Sequence, residues 1–240
     1  SMNGNAIRLS GVRFRWRAGA PLVLDIAEFA ARPGERLFVH GPSGSGKTTL
    51  LNLLAGICLP QEGVVEIAGE DLARVPGPRR DAIRADCIGF IFQMFNLLPF
   101  LSLTENVLLP CRFSPVRRAR ADAAPGGAEG EALRLLAHMG LGEAAATGRA
   151  VAELSTGQQQ RVAAARALIG APPVIIADEP TSALDADAQA AFLDLLFAEA
   201  GQSGATVLFV SHDRRLDAGF DRVVALAEIN RAAGAEGRAA

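Results

Sequence analysis

The chain is poor in cysteine, carries no excess of basic residues and contains no long apolar run. Its cysteines, Cys58, Cys87 and Cys111, are odd in number and far apart, which fits neither a disulfide framework nor a zinc-ligand spacing. They read as small buried or half-buried residues in a reducing compartment. The 24 lysines and arginines against 26 aspartates and glutamates give a formal net charge of -2, without the basic excess of a dedicated nucleic-acid binder. Nucleic acid is therefore not an expected partner. No apolar stretch approaches the roughly 18 residues that cross a bilayer, and the N-terminus lacks a charged-then-apolar signal pattern. The expected location is cytoplasmic or peripheral to a membrane. Ser1, ahead of Met2, reads as a cloning remnant.

What is present is apolar: 50% of the 240 residues are hydrophobic, enough to fill one large core or a core with a subdomain. Between residues 7 and 30 apolar and polar positions alternate (Ile7, Leu9, Val12, Phe14, then Leu22, Leu24, Ile26) around the turn-forming Arg17 to Pro21. This predicts antiparallel strands with one face covered, joined by a further piece at Val64 to Ile67. Leu37 to Val39, Val174 to Ala177 and Val207 to Val210 are instead continuous apolar runs, as strands buried on both faces of a parallel sheet require. Each ends in polar residues, at the strand ends where open α/β sheets bind ligands.

From Gln93 to about Ser155 the pattern turns helical, with Leu133, Leu135, Leu136 and Met139 marking one amphipathic helix. Residues 114–130, rich in Ala, Arg, Pro and Gly, predict a loop or frayed helix. Their cluster of Arg117, Arg118 and Arg120 is expected on a solvated face. The Ala- and Gly-rich tail from about Arg231 is expected to be mobile.

Gly41-Pro42-Ser43-Gly44-Ser45-Gly46-Lys47-Thr48 fits the phosphate-loop pattern, between a predicted strand and a helix opening at Thr49. Glycines let backbone N-H groups turn inward onto phosphates, and the helix N-terminus adds positive potential. Lys47 would reach the β- and γ-phosphates, and the Thr48 hydroxyl would ligate Mg²⁺. Asp178, at the end of a buried strand, is the candidate to hold that metal, and Glu179, one residue on, the candidate base for the attacking water.

The stretch Leu154-Ser155-Thr156-Gly157-Gln158-Gln159-Gln160-Arg161 resembles the signature of ATP-binding-cassette ATPases. Trp16, Gln93, the segment Ser182 to Asp185, and His212 follow that family's order, so the resemblance covers residues 7 to about 226. It implies an α/β fold: a P-loop NTPase (RecA-like) core with a mostly parallel sheet, an N-terminal antiparallel β subdomain and an inserted α-helical subdomain. The expected organisation is one cassette over residues 1–240, with core and β subdomain at about 7–92 and 166–230 and the helical subdomain at about 93–165. It also implies that two copies pair head to tail, each ATP lying between one copy's phosphate loop, with Thr49 following it, and the other's Ser155, Thr156, Gly157 and Gln158. Thr156 stands where the family usually has glycine, a change that leaves the backbone N-H in place.

By the same resemblance His212 would contact the γ-phosphate, Asp185 would help pair the copies, and Gln93 would lie near Mg²⁺ and the attacking water. Trp16 would stack on adenine, with Phe14 expected to point the other way into the core. Residues 94–100, unusually apolar for a loop, are read either as a partner surface or as local packing. Residues 88–110 look like the branch serving lipoprotein release and macrolide export, which includes the cell-division cassette. The implied function is ATP hydrolysis on the cytoplasmic face of the inner membrane, driving export, lipoprotein extraction or mechanotransmission through a separate integral membrane permease. The alternatives are a soluble cassette ATPase acting on ribosomes or DNA and a non-transport cell-division cassette.

Overall fold

The computed structural model describes residues 4–234 and divides the chain into two compact units, residues 1–87 with 206–240 and residues 88–205. Elements are numbered along the chain. In the first unit β1 (Ile7–Phe14) pairs antiparallel with β2 (Leu24–Ala31) and with β4 (Glu62–Ile67), and β4 pairs with β5 (Glu70–Asp71). Ile7, Leu9, Val12 and Phe14 are all buried although their spacing slips from two to three. A register shift between Ser10 and Arg13 absorbs the extra residue, as a β-bulge does.

The same unit holds a parallel layer in which β3 (Arg36–His40) lies between β8 (Thr206–Ser211) and β9 (Arg222–Ala225). Leu37 to Val39 and Val207 to Val210 are fully buried, with Phe38 stacked on Phe209 at 5.9 Å. Continuous apolar runs thus became strands covered on both faces. Helices α1 (Lys47–Leu54), α2 (Gly77–Cys87) and α9 (Leu226–Ile229) complete the unit. Of the tail expected from about Arg231, residues 231–234 form a 3-10 turn, and residues 235–240 lie outside the described residues.

The second unit is mainly helical: α3 (Leu103–Phe113), α4 (Pro115–Asp122), α5 (Gly127–His138), α6 (Gly142–Ala146), α7 (Thr156–Leu168) and α8 (Ala186–Ser203), with β6 (Ile88–Ile91) parallel to β7 (Val174–Asp178). Of the two readings expected over 114–130, a loop or a frayed helix, the structure has mostly helix, α4 and the start of α5. Ser114 caps α4 by accepting from Arg117 N at 3.0 Å and Pro115 follows at the first helical position, a start signal that the region's composition obscured. Leu133 also departs from expectation, being 41% exposed while Ala128, Ala132, Leu135 and Leu136 carry the buried face of α5.

The arginine cluster is not a uniform solvated face. Arg118 and Arg120 are exposed, but Arg117 is 3% exposed. Its guanidinium donates to the carbonyls of Ile169 at 2.8 Å, Ala167 at 2.8 Å, Arg166 at 3.1 Å and Ile88 at 3.4 Å. The last carbonyls of a helix have no partner within it, and a planar five-donor group can serve several at once. Burial pushes the Cys58 and Cys111 thiols up, the signature of packing residues.

Glu199 on α8 is buried and accepts from Arg134 on α5 at 3.0 and 2.9 Å, with His138 Nδ1 against the same carboxylate. Burial pushes this carboxyl up, but Arg134 and His138 outweigh it and hold it below the ordinary range. Such a group adds stability above the unfolded-state value of about 4.3 and loses it as pH falls through the lower folded value. Arg134→Met is expected to cost roughly 2–3 kcal/mol at pH 7, less than the ~3–5 of a fully buried pair because His138 remains. Urea titrations should find that deficit shrinking below about pH 4 as the carboxyl protonates; a deficit that widens in acid would contradict the pairing.

Candidate functional site

The loop from Gly41 to Gly46 leaves β3 and turns into α1. Gly44 and Gly46 take φ of +81° and +98°, the left-handed region that residues with a Cβ rarely enter. Lys47 folds over the loop, its Nζ donating to the carbonyls of Gly41 and of Pro42, the latter at 2.8 Å. Gly46 caps α1 without a side-chain cap hydrogen bond, having no side chain to supply one. Thr48 is exposed at the start of the helix and Thr49 is buried beneath it.

Parallel pairing sets His212 at the same level. Register aligns His40 with Ser211, so the loop and His212 leave adjacent strands side by side. His212 is exposed, and Asp213 beside it is held at a pKa of about 2, chiefly by the Arg215 guanidinium.

Beside the loop lies a cavity of about 760 Å³ lined by Trp16, Val23, Pro42, Ser45 and Asn230 among others. Trp16 is 60% exposed. The expectation that Phe14 turns away from it is corrected: β1 ends at Phe14, Trp16 stands in a bend beyond it, and the rings meet edge-on at 5.0 Å. Phe14, buried, braces the exposed indole. Asn230, not anticipated from sequence, is 1% exposed and closes the wall by accepting from Asp25 N at 2.8 Å and donating to Val23 O at 2.9 Å. A polar residue ending the apolar stretch Val223 to Ile229 was its only signal.

In the second unit β6 and β7 align Ile91 with Ala177, which brings Gln93 level with Glu179, both two residues beyond that pair. Gln93 is exposed and Asp178 and Glu179 are half-buried. Glu179 has φ of +46°, a conformation that costs a non-glycine residue about 1–3 kcal/mol and clusters at functional sites. Of the apolar loop, Phe95 is buried while Met94 and Phe100 are 83% and 77% exposed.

Ser155 caps α7 in a capping box: its hydroxyl accepts from Gln158 N at 3.3 Å, and Gln158 Oε1 accepts from Ser155 N at 3.0 Å. Thr156 is exposed at the first helical position, with Gly157 half-buried behind it. Asp185 likewise caps α8, accepting from Ala188 N at 2.9 Å. Both caps leave the turns that carry the candidate pairing residues rigid.

The donor set fits a nucleoside triphosphate. The N-terminus of α1, an ammonium inside the loop, and a buried Ser45 hydroxyl with no hydrogen-bond partner among the described residues all suit phosphate oxygens. The adjoining cavity with an exposed indole suits a base. Residues 24–182 match the family model described as ABC transporter. The chain belongs to the ABC transporter family. It is accordingly an ATP-binding ATPase of a transport system.

This ABC transporter chain is 43% identical over 225 residues to the lipoprotein-releasing system ATP-binding protein LolD of Anaeromyxobacter dehalogenans, covering 92% of this chain and 90% of that protein. With LolD of Shewanella sp. MR-4 it shares 42% over 200 residues, 83% of each. The macrolide export ATP-binding/permease protein MacB of Rhodopseudomonas palustris is 38% identical over 94% of this chain, which spans 33% of that longer protein. Among solved structures, the dimeric bacterial cassette MJ0796 superposes with a TM-score of 0.77 at 36% identity, covering 91% of this chain and 93% of that one. Its dimeric post-hydrolysis form with ADP and Pi gives 0.76 at 35%.

Trp16 is the chain's only tryptophan, so its emission is expected to change on titration with ATP. Trp16→Ala should weaken ATP binding about tenfold, the stacking contribution of one base, and Trp16→Phe by less. Unchanged affinity in the alanine variant would remove Trp16 from the base site.

Proposed function

We propose that this chain is the ATP-hydrolysing subunit of a bacterial export or lipoprotein-release machine, working as a head-to-tail pair of copies with a separate integral membrane subunit. The observation that carries the reading is the likeness to lipoprotein-releasing ATP-binding proteins over about nine-tenths of both chains. In this reading the work is done on the cytoplasmic face of a membrane. That fits a chain in which, among the described residues, no helix is long and apolar enough to cross one.

In this reading the Gly41 to Thr48 backbone and Lys47 bind and orient the phosphates. Glu179 accepts the proton of the attacking water, oriented by His212 and Gln93. Thr48, Asp178 and Gln93 would hold Mg²⁺. One carboxylate with neutral oxygens suits this ion, which keeps water and phosphate ligands and does not need an all-protein cage. When bound, the metal supplies neutralisation of phosphate charge. The turn Ser155 to Gln158 at the start of α7 faces the nucleotide of the second copy, the N-H groups of Thr156 and Gly157 lying outside the capping-box hydrogen bonds of Ser155 and Gln158, and Asp185 supports the pairing. Glu179 stands on a turn with a left-handed backbone, φ of +46°, and in this reading that turn serves to hold the carboxylate towards the water.

Glu179→Gln tests the reading. ATP binding is expected to persist, turnover to fall by about a hundredfold or more as a general base is lost, and a two-copy complex to accumulate with ATP in sedimentation. Wild-type turnover would remove Glu179 as the base. Recovery of the tagged chain with ribosomes, and not with membranes, would overturn the transporter reading.

A further inference from the structure

One turn into α7 lies Gln160, whose side chain is fully buried. Its Nε2 donates to the Pro180 carbonyl at 2.6 Å, and its Oε1, also buried, has no hydrogen-bond partner among the described residues. An unpaired buried acceptor costs about 1–3 kcal/mol, so this amide is an expensive way to satisfy one carbonyl if packing is its whole task. Pro180 directly follows Glu179, the residue held at φ of +46°. Further along, the Thr181 carbonyl accepts from Gln189 Nε2 on α8 at 3.0 Å, and Ser182 N donates to Glu179 O at 3.3 Å. β7 enters the turn on one side, and these amides clamp it on the other.

A left-handed glutamate persists only where the surroundings over-determine it. The tie to the Pro180–Thr181 peptide, one residue beyond Glu179, comes from the signature helix. We infer that Gln160 is a positioning residue that locks the Glu179 turn to α7, so that movement of the signature end of the helix is passed to Glu179. The inference rests on the proposed roles of Glu179 and of the α7 N-terminus. In the head-to-tail pair those two features of one copy serve different nucleotides, which makes Gln160 a mechanical link between the two ATP sites.

The chain also ties α7 to the loop that follows Gln93. Arg166 donates to the carbonyls of Asn96, at 2.7 Å, and of Phe95. Both residues are left-handed, with φ of +51° and +58°. The link through Gln160 is therefore not an isolated contact but one of two from the same helix onto strained backbone beside candidate site residues.

Gln160→Leu replaces the amide with an apolar side chain of similar size and removes the donor. In the full chain it is expected to lower kcat about tenfold to hundredfold, the scale of a small misplacement of a reacting group, with KM for ATP within about twofold. In a Glu179→Gln background the same substitution should leave the residual rate unchanged, because its effect runs through the missing carboxylate. An unchanged kcat in a folded variant, or an equal loss in both backgrounds, would overturn the inference. Wild-type turnover in Glu179→Gln alone would instead mark failure of the base assignment. Should Gln160→Leu not fold, Gln160→Glu keeps the shape. Its deficit relative to wild type is expected to grow as pH rises and the carboxyl loses its donor, and a deficit independent of pH would count against the link.

Discussion

A helix buried along most of its length must settle unpaired N-H groups at one end and unpaired carbonyls at the other, with no water to help. Helix α7 meets that demand with its neighbours' side chains as well as its own. Ser155 and Gln158 close the start, and Arg117 from α4 takes the carbonyls of Arg166, Ala167 and Ile169 at the finish. Between them Gln160 and Arg166 reach outward to the backbone of Pro180 and of Phe95 and Asn96. A rod fixed at both ends can hold such contacts to a fraction of an ångström, which is what a site that orients water needs. Apart from Asp178 at the end of β7, the candidate groups of the second unit stand at the start of α7 or α8 or on turns whose backbone side chains of those helices bind.

The first unit relies on register instead. Continuous apolar runs force β3, β8 and β9 into a parallel layer, and parallel pairing delivers all strand ends to one edge. The phosphate loop and His212 leave that edge together, and the chain after β9 returns as Asn230 to close the cavity beside Trp16. The chemistry at that edge comes from backbone N-H groups and one ammonium, which need exact curvature more than special side chains. Glycines with positive φ supply the curvature.

Much of this was legible in the sequence because the signals were local. Val174 to Ala177 reads as a buried strand from composition alone, and Gly41 to Thr48 carries its own geometry. The misses have a common cause, which is dependence on residues distant in sequence. Arg117 looks like one of three exposed arginines until the end of α7, about fifty residues away, presents carbonyls to it. The buried Gln160 could not be foreseen either, since its partner is the Pro180 carbonyl, 20 residues on. Helix α4 was hidden for a different reason: its Ser114-Pro115 start signal reads equally well as a turn, and only packing decides between them.

The central claim is that each ATP site is shared between copies, the phosphate loop supplying one half and the Ser155 to Gln158 turn of a second copy the other. The rate of ATP hydrolysis per chain, measured over a dilution series with sedimentation of the same samples, tests it most directly. The account predicts a rate that climbs with chain concentration and levels off as ATP-bound pairs form. A rate independent of concentration, from chains that sediment as single copies throughout, would contradict it.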